Sequence, residues 1–192
     1  MTDYRATSTT PFLVCRALAL AAEVGFTASC LPEVGRLLAV LAAGVRGGTI
    51  GEVGAGCGVG TAWLAGALVS DVSLMTVERD PARAATVAAL FADVQAVRLL
   101  NDDWHALLPH GPFALLFADV PAKHEEPEAL LGVLALGGSI VIDDLTPEEQ
   151  WPAAWHGRRD PVRDFWLNDP RLIATEIRTT STTAAIIATR VR

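Results

Sequence analysis

"GTIGEVGAGCGVGTAWLAGAL", residues 48 to 68, decides the fold. A short apolar run leads into four glycines at alternating positions, Gly54, Gly56, Gly58 and Gly60, and a stretch of helical spacing follows them. Glycine loses more backbone freedom on folding than any other residue, so this density marks a place where something must approach the main chain. Strand, glycine loop and helix in that order open a βαβ unit. Free N–H groups at the start of the helix face the loop.

Working outward, residues 12–24 and 31–44 have helical spacing, with Leu31, Val34, Leu37, Leu38 and Leu41 on one stripe. "VSLMTVE" reads as a second buried strand, and "DPARAATVAALFADV" as a helix with Pro81 in its first turn. "AVRLLND" and "FALLFAD" read as the third and fourth strands. "HEEPEALLGVLAL" reads as a helix closed by Gly137 and Gly138, and "SIVIDD" as the fifth strand. Beyond Asp144 the periodicity fades through "LTPEEQWPAAWHGRRD". "PVRDFWLND" is a short helix, and "LIATEIRTTSTTAAIIATRVR" reads as two β-branched strands joined by a polar turn. Alternating strands and helices predict a doubly wound α/β domain: a mostly parallel sheet with helices on both faces and a terminal antiparallel hairpin. A single domain is expected over 1–192, with N-terminal helices in 1–47, a ligand-binding core in 48–144, and a loop, short helix and hairpin in 145–192.

The 192 residues are 51% hydrophobic and 19% charged, which places the chain among globular domains with a sizeable core. A net charge of -7 argues against a nucleic-acid partner, which normally leaves a basic footprint. Cys15, Cys30 and Cys57 have no paired or metal-type spacing, as expected for a reducing cytosol. The apolar run from Pro11 to Cys30 is interrupted by Arg16 and Glu23, and Asp3 weakens the basic flank a secretory signal needs. No apolar segment reaches the roughly 20 residues that span a bilayer, so no membrane partner is expected. The composition predicts a cytoplasmic protein.

Spacing separates three ligands for the loop. A phosphate-binding P-loop needs Lys and Ser/Thr after its glycines, and Gly58, Val59, Gly60 and Thr61 supply no lysine. A dinucleotide fingerprint needs glycine at its first, third and sixth positions. Counting from Gly54 the sixth is Val59, and from Gly56 it is Thr61. What remains is an acid followed by glycine at every second position: Glu52, Gly54, Gly56, Gly58. This pattern resembles the first motif of class I S-adenosylmethionine (SAM)-dependent methyltransferases, whose loop passes under the methionine part of the cofactor. The second strand ends at Glu78, where a carboxylate can accept from both ribose hydroxyls. In "NDDWHALLP", Asp103 is placed to accept from an adenine amino group. Trp104 either lies against the ring or packs in the core.

With these segments together, the chain from about Leu31 to Asp144 resembles the small catechol-type O-methyltransferases, especially the bacterial branch. "CLPEVGRLLAVLA" is similar to the helix before their first strand, "DWHALLP" to the adenine-side segment, and "GGSIVIDD" to the fifth strand, where the family has Asp-Asn. The resemblance implies a Rossmann-like, seven-stranded sheet, SAM as cofactor, and methyl transfer to an oxygen of a small-molecule acceptor by in-line displacement. It also implies a divalent metal, Mg²⁺ or a similar hard cation, on Asp119, Asp143 and Asp144, with Asp119 also on the cofactor side. The sequence departs from the family at Asp144, where the family has Asn. It departs again at Lys123, which follows Asp119 one step later than the family's lysine. A metal-free site would use Asp143, Lys123 or His124 as its base. Trp151, Trp155 and Trp166 could wall a planar acceptor, or serve as an apolar lid or a contact in a homodimer. Two other classes stay open: a SAM-binding protein without turnover, and a NAD(P)-dependent oxidoreductase. The glycine spacing and the single tyrosine, Tyr4, disfavour the oxidoreductase.

Overall fold

A computed structural model of the chain describes residues 10–192, and Tyr4 and Asp3 lie outside them. Two helices come first, α1 (Phe12–Glu23) and α2 (Pro32–Gly44), followed by β1 (Gly48–Val53), α3 (Val59–Ala65), β2 (Val72–Val77), α4 (Pro81–Leu90) and β3 (Val97–Leu100). A 3-10 segment (Trp104–His110) leads to β4 (Phe113–Ala118), α5 (Ala122–Glu125), α6 (Pro127–Gly132) and β5 (Leu134–Leu145). Two further 3-10 turns precede α7 (Pro161–Asn168), β6 (Leu172–Arg178) and β7 (Ala184–Arg190).

The seven strands lie in the order β3-β2-β1-β4-β5-β7-β6. The first five are mutually parallel; β7 runs antiparallel to β5 and β6. The expected mixed sheet and closing hairpin are both present. Strand order reverses between β1 and β4, and there the carboxyl ends of the strands open a crevice.

Period-two side chains build a core on each face. From β4 and β5, Leu116, Ala118, Ile140 and Ile142 face a cluster with Leu130, Leu131, Val162 and Trp166. Leu115, Phe117 and Val141 face the other side, against Val34, Leu38 and Ala42 of α2 and Leu64 of α3. A third cluster seats α1 and α4 on α3 through Val14, Ala17, Trp63, Val87 and Leu90.

The structure corrects several expected boundaries. The helix expected to run from His124 to Leu136 is two short helices, and Leu134 already pairs with Phe113 as part of β5. Gly137, at φ +79, bends that strand; it does not end a helix. Helix α3 stops at Ala65, short of Leu68, and α4 ends at Leu90, not Val94.

Candidate functional site

Loop 54–58 leaves β1 at the crevice. Gly54 and Ala55 both donate their N–H groups to the Val77 carbonyl, at 3.1 and 2.9 Å, which ties the loop to the end of β2. Gly54 and Gly56 lie at φ +92 and +56, a left-handed conformation that glycine adopts without steric cost. Each also lies against a neighbour: a Cβ at Gly54 would lie 2.5 Å from Val120 Cγ1, and one at Gly56 would lie 3.0 Å from the Phe26 ring. Gly58 differs from these two. It caps α3, and a Cβ there would press on Phe91 and Val87 of the α4 region, at 3.1 and 3.4 Å. Gly60 lets α3 approach Glu52, whose Oε1 would be 2.5 Å from an added Cβ.

Two carboxylates frame the loop. Glu52 is 1% exposed, and its Oε2 accepts from the hydroxyls of Thr61 and Thr76 at 2.5 and 2.6 Å. Among the described residues its Oε1 is buried without a partner. Burial pushes this carboxyl up to about 7, against the lowering pull of the two hydroxyls. Glu78 follows β2. Its Oε2 accepts from Gly56 N–H at 2.9 Å, and its Oε1 accepts from Asp80 N–H at 2.9 Å and from Arg83 Nη2 at 2.8 Å. The Arg83 guanidinium also lies over the Phe26 ring, 5.4 Å from its centre.

Two clefts, of about 220 and 360 Å³, meet at Gly54, Glu78, Arg83 and Val120. The first holds Glu52, Gly56, Asp119 and Asp144, roofed by residues of the α1–α2 loop. The second holds Asp103 and Trp104. The structure therefore gathers eight of the expected positions: Glu52, Gly54, Gly56, Glu78, Asp103, Trp104, Asp119 and Asp144. Gly58, Asp143, Lys123 and His124 line neither cleft. Sequence reading missed Arg83, Phe26, Ser29 and Cys30. The last three sit in a stretch without periodicity, and Arg83 lies within α4, where no motif marks it. Ser29 Oγ, like Glu52 Oε1, is buried without a partner among the described residues. Buried polar atoms are nearly always satisfied, so these two suit a polar ligand group.

On the side of the second cleft, Asp103 Oδ1 accepts from the His105 backbone N–H at 3.1 Å and contacts His105 Nδ1. His105 Nε2 reaches Glu126 Oε1 at 3.0 Å. These two carboxylates raise the imidazole pKa, Asp103 more strongly than Glu126, and His105 in turn lowers that of Asp103. Trp104 lies 4.0 Å from the His105 ring, centre to centre.

At the ends of β4 and β5, Asp119 is half-buried and Asp143 is 5% exposed. Burial raises both pKa values, that of Asp143 to about 6. Asp144 is exposed at φ +61, a left-handed backbone that Asp and Asn tolerate better than most residues. Lys123 Nζ donates to the Asp143 carbonyl at 2.5 Å and lies 3.4 Å from Asp119 Oδ1. Among the described residues, no three His, Cys, Asp or Glu side chains form a group able to hold a metal. The donor set Asp119, Asp143 and Asp144 therefore does not fit the divalent ion that the resemblance implies.

The tryptophans separate. Trp166 is fully buried and donates Nε1–H to the Lys123 carbonyl at 3.2 Å, so it is a core residue and not an acceptor wall. Trp151 donates to the Thr146 carbonyl at 3.0 Å beneath the Arg163 guanidinium, and Trp155 is 55% exposed. Neither lines the two clefts.

Among the described residues, no helix is long and apolar enough to cross a membrane. None of the curated proteins matches the chain in sequence. Among solved structures, an O-methyltransferase from Bacillus cereus in complex with S-adenosylhomocysteine (SAH) superposes with a TM-score of 0.81 at 21% identity, covering 97% of this chain and 94% of that one. The O-methyltransferase TomG from Streptomyces achromogenes, involved in tomaymycin synthesis and solved with SAM, gives 0.79 at 22% identity, covering 98% and 93%. Residues 52–145, from Glu52 at the loop to the end of β5, match the family model described as a methyltransferase domain. The chain thus has the fold of these O-methyltransferases, and its residues 52–145 are similar to a methyltransferase domain.

Proposed function

We propose that the chain transfers the methyl group of SAM to a hydroxyl oxygen of a small molecule. The observation that carries this reading is the meeting of two clefts at Glu78 and Gly54, one lined by polar backbone and buried carboxylate, the other by Asp103 and Trp104. A ligand with an amino-acid end and an adenosine end matches that division.

When bound, SAM supplies a methyl group activated by its sulfonium. The chain's own residues hold and orient it. Asp103 accepts from the adenine amino group through the oxygen His105 leaves free, and Trp104 covers the ring. Glu78 Oε2, which accepts from Gly56 N–H, takes a ribose hydroxyl. Glu52 Oε1 and Ser29 Oγ, unpartnered and buried in the first cleft, take the polar groups of the amino-acid end. Phe26 and the α1–α2 loop exclude water from the transfer. Asp119 and Asp144 are the carboxylates of the β4 and β5 ends that reach the first cleft, so they stand where a proton leaving the acceptor would go. Positioning supplies most of the rate in such a displacement. The acceptor is proposed to be a small molecule and not a nucleic acid, in keeping with the net charge of -7, and the setting cytosolic.

Calorimetric titration with SAH, with NAD as the comparison ligand, tests the proposal. Saturable SAH binding without NAD binding is the expected result. NAD binding without SAH binding would overturn it.

A further inference from the structure

Lys123 is 5% exposed, yet its side chain carries a charge that must find partners inside the protein. It finds two. The ammonium donates to the Asp143 carbonyl at the end of β5 and faces the Asp119 carboxylate beyond the end of β4, so one cation joins the two strand ends. Its own backbone carbonyl is fixed by Trp166 of α7. These are the strand ends where the resemblance implies a divalent ion. A hard cation needs several oxygens converging on it, with open positions for water or substrate. Here Asp119 and the Asp143 carbonyl already converge on nitrogen, and Asp144 sits exposed on a left-handed residue. An ion placed between Asp119 and the Asp143 carbonyl would take the position the ammonium already fills and face it at short range.

We propose that the Lys123 side chain stands where a divalent metal would otherwise sit, and that this chain binds its cofactor and holds its β4 and β5 ends in place without a metal. The one-residue displacement of the lysine relative to the family pattern is the sequence mark of this arrangement. Only the part concerning the cofactor rests on the methyltransferase reading. The part concerning the metal stands on the donor set alone.

The test is a titration of the full chain with Mn²⁺, followed by the paramagnetic relaxation of water protons, beside SAH calorimetry in EDTA and in Mg²⁺. The wild-type chain is expected to show no stoichiometric Mn²⁺ site and the same SAH affinity in both buffers. Lys123→Met and Lys123→Gln, checked for folding by circular dichroism, free Asp119 and the Asp143 carbonyl. Either folded variant is expected to gain Mn²⁺ affinity by more than about tenfold. One Mn²⁺ per wild-type chain at micromolar free ion, lost in Asp119→Asn, would overturn the proposal whether or not the lysine variants fold. A folded variant with no gain would overturn the stand-in role of Lys123. Failure of SAH to bind in any buffer would sink the methyltransferase reading and leave the Mn²⁺ result to be judged by itself.

Discussion

The β1–β2 end of the molecule and the 145–160 end are built by different means. From β1 to β2 the polar groups are buried and held from regular elements: Glu52 by the Thr61 and Thr76 hydroxyls of α3 and β2, Glu78 by the Gly56 and Asp80 amides and by Arg83 of α4. From Leu145 to Asp160 the chain runs through short 3-10 turns whose tryptophans reach solvent or a loop carbonyl, braced by surface ion pairs such as Arg178–Glu149. Buried groups already held at several points lose little freedom when a ligand arrives, whereas exposed loops can be rearranged cheaply. The first region is therefore the more rigid of the two, and the second is the freer to vary.

Breaking the fixed region should have the largest effect. Gly56→Val places a branched side chain on a φ of +56 and against Phe26. Complete loss of SAH binding in a chain that keeps its far-ultraviolet dichroism is expected; a normal isotherm would mean that the loop does not carry the ligand. Glu78→Ala should cost about 1–3 kcal/mol of SAH affinity, the scale for leaving polar partners unpaired. Unchanged affinity would remove Glu78 from the ribose role.

A third prediction sharpens the comparison through pH. The folded Glu52 carboxyl, near 7, keeps its proton where the unfolded one, near 4.5, has lost it. Its contribution to stability is therefore complete below the unfolded value and is lost as pH rises through the folded one. Glu52→Gln cannot ionise. Its urea midpoint should draw increasingly ahead of the wild type between pH 4.5 and 7, then run parallel to it. Curves of equal slope would show that Glu52 is not held protonated.

The smallest effect belongs to the variable region. Trp155→Ala, at an exposed position, should shift stability by no more than about 0.5 kcal/mol and leave SAH affinity unchanged. A marked loss of SAH binding would erase the contrast between the two ends.

Most of this fold was legible because buried parallel strands are short apolar runs bounded by turn residues, as "TIGEVG" and "FALLFAD" are. It failed where apolar residues satisfy both periods. "GVLAL" fits a helix as well as a strand, and pairing with Phe113 decides in favour of β5. In the site, Glu78 and Asp103 were legible because strand ends fix their position. Glycine spacing alone could not separate Gly56, which lines the cleft, from Gly58, which makes room for α4. Nor could sequence show that Lys123 turns inward, since that depends on two strand ends meeting around it.

Arg83 is shared property. Its guanidinium serves the Glu78 carboxylate and also the face of Phe26, which covers Gly56. The conformation of the α1–α2 loop and the occupancy of Glu78 are thus linked through one side chain, and linkage is reciprocal: whatever free energy a ligand at Glu78 lends to closing the loop, a closed loop returns to the ligand. A substitution in the loop, far along the chain from β2, will therefore be read out as a change in the affinity of whatever ligand Glu78 holds.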